Sequence, residues 1–337
     1  MRLPVLPAAG AAVLLLCAPA FAAPDVVVSI KPLHSLVASV MGEVGQPKLI
    51  VEGVGSPHTY AMKPSNASDL AKADLVFWAG DQLEAFLVKP LETLATTAKV
   101  VELIETPGLK RLPYREGGPF EAHGHEDDDH DAAAGDAAHT KSAGQDLHDH
   151  AASETGHDHE EHGDGYDMHV WLDPDNARVM AAEIERQLAA MDPENAATYR
   201  ANTAKLNARL DGLIARTNQT LAGVKGKPFI VFHDAYQYFE TRFEMAAAGS
   251  ITVNPETMPG VQRISEIKTK TAALGATCVF AEPQFEPKLI ETVSEGTGAR
   301  TGTLDPEGAA LANGPDLYFQ LIDNLATSLS TCLSQPD

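Results

Sequence analysis

Cysteine is scarce: Cys17, Cys278 and Cys332 are all that 337 residues contain. With Cys17 in the N-terminal apolar run, only two thiols are left for the rest of the chain, too few for a four-thiolate metal cluster. Positive charge is also in short supply, with 25 Lys and Arg against 47 Asp and Glu and a formal net charge of −22. A phosphate backbone requires a basic face, so nucleic acid is excluded as a partner. After the first two dozen residues no apolar run approaches membrane-spanning length. Neither an H-E-x-x-H pair nor a nucleophile elbow occurs, which counts against an exported zinc hydrolase.

The opening MRLPVLPAAGAAVLLLCAPAFAA has the build of a secretory signal peptide: a lone Arg2, an apolar centre from Val13 to Cys17, and Ala20-Phe21-Ala22 as a small-x-small site. Cleavage is expected near Ala22/Ala23, giving residues 1–23 as signal and an exported chain that starts near Ala23 or Pro24. Leu16 precedes Cys17 where a lipid anchor needs a small residue, so a lipid-anchored start is not expected. Cys278 and Cys332 then remain as an even pair in an oxidising compartment, which reads as a disulfide. It would close a loop of 54 residues, about 4 kcal/mol in the chain-entropy model. The rival reading of a two-cysteine metal site lacks further thiols nearby.

What the chain has in quantity is histidine, thirteen in all. Nine of them (His123, His125, His130, His139, His148, His150, His157, His159 and His162) crowd into residues 117–165, alongside fourteen acidic residues and a single Lys141. Phe120 and Leu147 are the only bulky apolar side chains in that stretch. So little apolar surface cannot offset ordering entropy, and the stretch reads as a disordered insertion. HGHEDDDH and HDHEEH offer mixed nitrogen and oxygen ligands, so weak, multiple metal binding is expected there. The rival is a solvated acidic tether. The remaining four histidines are isolated: His34 in IKPLHSLV, His58 in VGSPHTYAMKPS, His169 in MHVWLDP and His233 in FIVFHDAY. His34, at a helix start, reads as structural. Each of the other three, taken alone, has an ordinary reading as a satisfied polar contact. Together they lie at expected strand ends in opposite halves of the chain, where ligands of open α/β sheets collect. Three neutral imidazoles plus a carboxylate or a water suit tetrahedral zinc. Asp305, in GTLDPEG, is the candidate carboxylate, and its rival role is to cap the following turn.

Short apolar runs alternate with helical periodicity: strands near 25–30, 47–52, 74–80 and 99–103, with helices from about 33, 65 and 82 between them. Asp173-Pro174 opens a helix to about Met191, and Asp192-Pro193 begins another that keeps its apolar spacing to Ala222. Thirty helical residues span ~45 Å, enough to join two lobes. Strands follow at 228–232, 277–282 and 299–304, with helices at 234–243, 260–273, 287–295 and 315–333. The expected fold is α/β: two lobes, each a mostly parallel sheet flanked by helices, joined by one long rigid helix, with metal in the interlobe cleft. The expected boundaries are 24–191 for the first lobe (interrupted by 117–165), 192–223 for the linking helix and 224–337 for the second lobe. GTGARTG at 296–302 precedes a strand and opens no helix, so it is no phosphate loop.

VGSPHTYAMKPS, ADLVFWAG, MHVWLDP, VFHDAYQYFE, TVNPETMPGVQRISEI, CVFAEPQF and GTLDPEG, in this order, resemble the periplasmic zinc-binding component of zinc-uptake ABC transporters, the ZnuA type. The resemblance covers the exported chain outside the histidine-rich stretch. It implies a non-catalytic carrier that captures Zn2+ in the periplasm and hands it to an inner-membrane ABC permease. It also implies metal ligands at His58, His169 and His233 and a disulfide between Cys278 and Cys332. A monomer is implied, with periplasmic zinc chaperones as further partners. Manganese-binding relatives use two histidines and two carboxylates, so histidine at 233 favours zinc over a manganese or iron carrier. Some relatives carry Glu immediately before the first ligand histidine; here that residue is Pro57, which leaves the fourth position to water or Asp305. A periplasmic metal buffer with no transporter is the remaining alternative.

Overall fold

A computed structural model describes residues 23–115, 120, 165–252, 255, 259–273, 278–285 and 288–335. The expected signal peptide and the nine histidines from 123 to 162 lie outside the described residues. The first sheet comprises β1 (Val26–Val28), β2 (Lys48–Leu49), β3 (Leu75–Trp78) and β4 (Lys99–Glu102). Its order is β2-β1-β3-β4, parallel throughout. The second sheet repeats that plan with β5 (Phe229–His233), β6 (Ala247–Thr252), β7 (Cys278–Ala281) and β8 (Arg300–Thr303) in the order β6-β5-β7-β8. Parallel sheets are covered on both faces, which is why β1, β3 and β5 are unbroken apolar runs, all of them buried.

The helices of the first half are α1 (Lys31–Met41), α2 (Pro64–Leu70), α3 (Val88–Leu94) and α4 (Pro174–Met191). The Asp173 carboxylate accepts the Asp175 N–H at 2.9 Å, and Pro174 follows it, so the expected cap forms. The joining helix α5 (Ala196–Leu221) begins later than the sequence implies. Pro193–Asn195 form a 3-10 turn, and the Asp192 carboxylate accepts from the side chains of Asn195 (2.8 Å) and Tyr199 (2.7 Å). Tyr199, Thr203, Leu206, Leu210, Leu213, Thr217 and Leu221 form one buried stripe along α5. The second half adds α6 (Gln237–Phe243), α7 (Val261–Ala273), α8 (Lys288–Ser294) and α9 (Leu317–Leu333).

The helices α1, α4, α5 and α9 pack on one another, so a single apolar core runs from the first sheet to the second. A smaller core of Ile230, Phe232, Ile251, Ile267, Val279, Leu289, Ile290 and Val293 fills the far side of the second sheet. Polar bonds fix the register across the junction. The buried Tyr318 donates its hydroxyl to Trp171 O (2.7 Å) and its backbone N–H to Ser35 Oγ (3.0 Å). The Trp171 indole donates to Pro306 O at 2.8 Å, and the Lys31 ammonium donates to Ala309 O and Leu311 O at 2.9 and 2.8 Å.

Two elements differ from the sequence reading. MHVWLDP contains no strand: Val170–Leu172 form a 3-10 turn whose three side chains are fully buried. A short apolar run enclosed on all sides has the same signature in either geometry. The edge strand β6 (AAGSIT) escapes pattern analysis because its first four residues carry no bulky side chain.

The disulfide Cys278–Cys332 is formed and ties β7 to α9. Replacing both cysteines with serine should lower the stability of the metal-free protein by about 2–5 kcal/mol. Denaturant unfolding checks this, and an unchanged midpoint would show that the packing of α9 suffices without the bond.

Candidate metal centre

In an open parallel sheet the topological switch point gathers ligands at the carboxyl ends of the strands. In the second sheet that point lies between β5 and β7. His233 is the last residue of β5, and Glu282 directly follows β7. His58 sits in the loop after β2, pinned by Tyr60, whose hydroxyl donates to Ile50 O at 2.8 Å. His169 heads the 3-10 turn before α4.

These three histidines, from three separate segments, converge. Their candidate ligand atoms all lie within 4.8 Å of one another, and the ring centroids are 5.7, 5.8 and 5.2 Å apart. The cavity they share has a volume of about 10 Å³, room for one ion or one water, and Ser56, Pro57, Gln284, Phe285, Pro306 and Glu307 complete its wall. A surface cleft of about 690 Å³ beside His34 and Asn202 lies away from this chemistry.

Carboxylates orient two of the rings. Asp167 accepts from His169 Nδ1 at 2.7 Å and from its backbone N–H at 3.0 Å. Glu282 accepts from His233 Nδ1 at 2.8 Å and from the Tyr236 hydroxyl at 3.1 Å. A ring that donates through Nδ1 presents the bare lone pair of Nε2. The two Nε2 atoms face each other at 3.3 Å. Two lone pairs at that distance repel unless a metal ion or a proton lies between them. Tetrahedral zinc with Zn–N bonds of ~2.05 Å places neighbouring nitrogens about 3.3 Å apart.

The electrostatics favour a cation further. Burial, reinforced by the neighbouring His169 and His233 rings, holds His58 well below the usual imidazole value and so keeps it neutral. Burial also disfavours charge on His233, but the Glu282 carboxylate outweighs it and the value rises. Asp167, Glu282 and Glu307 are all nearly inaccessible, so the cavity is ringed by carboxyl groups.

Asp305 has other work. Its carboxylate accepts from the Gln284 side chain (3.1 Å) and from the backbone N–H groups of Glu307 (3.2 Å), Gly308 (2.9 Å) and Ala309 (2.7 Å). This is the turn-capping role, and among the described residues the three histidines alone form a metal-competent group. His34 bonds Pro47 O at 3.0 Å, outside the centre.

Sequence reading passed over Asp167, Glu282, Glu307 and Arg115. Two of these left a visible signal: an acid two residues before His169, and an acid at the carboxyl end of the CVFAE strand. Arg115 bonds both Asp234, the neighbour of His233, and Glu240 (2.8 and 3.0 Å). Its guanidinium therefore clamps the chain just before the histidine-rich stretch onto the second lobe. Gln237 adds a bond to Pro113 O at 3.0 Å, and Tyr238 one to Asp167 O at 2.8 Å.

Two parallel-sheet lobes with a buried histidine cluster where they meet define a metal-binding protein of the two-lobed solute-binding class. The family model described as zinc-uptake complex component A, periplasmic, matches residues 26–332, and the chain belongs to this ZnuA family. It is 57% identical over 310 residues to the high-affinity zinc uptake system protein ZnuA of Brucella suis biovar 1 (strain 1330), with 92% of each chain covered. It is 37% identical over 309 residues to that of Yersinia pestis, with 91% of each covered. A ZnuA crystal structure matches with a TM-score of 0.71 at 23% identity, covering 93% of this chain and all of that one. The periplasmic zinc binding protein TroA from Treponema pallidum gives 0.70 at 16% identity, covering 93% and 99%. At those identities the structural likeness speaks for the fold. Family membership makes the chain a periplasmic zinc-uptake component that works with an ABC transporter permease, and a binding protein, not an enzyme.

At the equivalent switch point of the first sheet, the fully buried Glu84 accepts the N–H groups of Ala79 (2.7 Å) and Gly80 (3.2 Å). Burial still outweighs these bonds and raises its carboxyl from 4.5 to about 7. The folded state therefore holds a proton that the unfolded chain releases, and stability is lost as pH rises from 4.5 to about 7. Glu84→Gln should remove that slope, on the order of 3 kcal/mol between the two ends of the window. Denaturant unfolding of both proteins at pH 4.5 and pH 8 checks this, and parallel pH profiles would contradict it.

Proposed function

We propose that this protein captures Zn2+ on the Nε2 atoms of His58, His169 and His233, completes a tetrahedron with one water, and delivers the ion to its permease. The observation that carries the reading is the pair of opposed Nε2 atoms at 3.3 Å, each ring held through Nδ1 by a buried carboxylate. Three imidazoles without a directly ligating carboxylate suit zinc better than manganese, which prefers oxygen donors and more of them. Asp305, bonded to four other groups, stays outside the ligand set.

The nine histidines between His123 and His162 act as an accessory, low-affinity collector of zinc. Cleavage near Ala22/Ala23 releases the chain into the periplasm, where it works as a monomer and exchanges zinc with periplasmic chaperones as well as with the permease. Withdrawal of any ligand segment opens the tetrahedron. His58 is the natural one to leave, because no carboxylate anchors its ring and its loop carries the exposed Val54.

A chelator-competition zinc titration of the metal-stripped mature protein tests this, run beside His58→Ala, His169→Ala, His233→Ala and a variant lacking residues 118–165. The deletion should keep one tight site. Each alanine variant should lose more than the ~100-fold that changes to outer-sphere residues cause. Loss of the tight site on deletion, with the alanine variants unaffected, would make the protein a loop-based scavenger instead.

A further inference from the structure

Glu307 is the unused group of the metal centre. It lines the cavity with the three histidines and is only 6% exposed. No described residue gives it a hydrogen bond, whereas Asp305, two residues earlier, is fully committed to the turn. The Glu307 carboxyl group faces the cavity with no hydrogen bond from a described residue, which leaves it available to a ligand held there. Its charged surroundings are the carboxyl groups of Asp305, Glu84 and Glu282 and the single ammonium of Lys31. Lys31 directs two of its three N–H donors to Ala309 O and Leu311 O. Among the described residues none hydrogen-bonds the Glu307 carboxyl.

The geometry also sets its distance. A carboxylate oxygen within 4.8 Å of all three histidine nitrogens would join their metal-competent group, and Glu307 does not. It therefore lines the cavity from outside the inner ligand group. A cavity of about 10 Å³ leaves room at the fourth vertex for a single water.

We propose that Glu307 is an outer-sphere residue of the zinc site: its carboxyl group hydrogen-bonds the water that completes the His58/His169/His233 tetrahedron. This rests on the three-histidine reading above. Three imidazoles and a water leave the full 2+ charge on zinc, and a nearby carboxylate in a water-poor cavity offsets part of it. Zinc affinity would then depend on a residue that makes no bond to the metal and that lies in the second lobe, beside the backbone carbonyl of Pro306 that Trp171 holds.

The test compares the mature protein with Glu307→Gln and His233→Ala by chelator-competition zinc titration, together with thermal melting of the metal-free forms. Glu307→Gln should weaken zinc binding by about 10–100-fold. Its metal-free melting temperature should stay level or rise, because an unpartnered buried acid has been removed. In Co(II)-substituted protein the visible absorption of the tetrahedral ion should change band shape in Glu307→Gln, since the water loses its charged acceptor. Zinc affinity within twofold of the parent, while His233→Ala loses its tight site, would overturn the proposal and leave the three-histidine reading standing. A metal-free melting temperature that falls in Glu307→Gln would assign the residue a structural role and also overturn it. Undiminished binding by His233→Ala would overturn both.

Discussion

Three imidazole rings from three separate segments meet with their candidate ligand atoms within 4.8 Å of one another, and the polar bonds between the lobes hold that meeting. His58 comes from a loop of the first sheet, His169 from a 3-10 turn beneath α4, and His233 from the end of a strand in the second sheet. An error of 1 Å between the lobes would separate the two Nε2 atoms that now stand 3.3 Å apart. The bonds from Trp171 to Pro306, from Tyr318 to Trp171 and from Lys31 to Ala309 and Leu311 resist that error, with the shared helical core behind them. Arg115 adds a clamp on the outer side, against Asp234 and Glu240.

The charge arrangement complements the geometry. Neutral rings supply lone pairs, and buried acids behind them supply a negative field without competing for the inner positions. Asp167 and Glu282 each set the tautomer of one ligand, so the protein prepares the nitrogens before the ion arrives. His58 has no such anchor, and its neutral state comes from burial and from the two other rings. The site is thus asymmetric: two fixed ligands and one on a loop. That asymmetry suits a carrier, which must hold an ion firmly and still give it up.

Much of this was legible in the sequence, and the part that was not has physical reasons. The unbroken apolar runs of β1, β3 and β5 announce parallel strands covered on both faces, and Asp173-Pro174 announces the start of α4. His233 and His169 stand out because each adjoins a short apolar run, and His58 because it sits in a Gly/Ser/Pro loop after a strand. MHVWLDP misleads because complete burial erases the difference between a strand and a turn, and β6 escapes because Ala, Gly and Ser carry little pattern. Asp305 was open between ligand and cap because both roles need a carboxylate at the same position; the hydrogen bonds from residues 307–309 distinguish them. Glu282 and Glu307 become meaningful only once β5 lies beside β7 and the 305–309 turn closes over the cavity, since their partners are distant in sequence.

Zinc X-ray absorption on the 1:1 complex of the variant lacking residues 118–165 tests the central claim most directly, because no loop histidine remains to contribute. The account predicts a four-coordinate ion with three imidazole nitrogens at ~2.0 Å, one oxygen and no sulfur. Fewer than three imidazoles in the first shell, or a shell of oxygens alone, would contradict it.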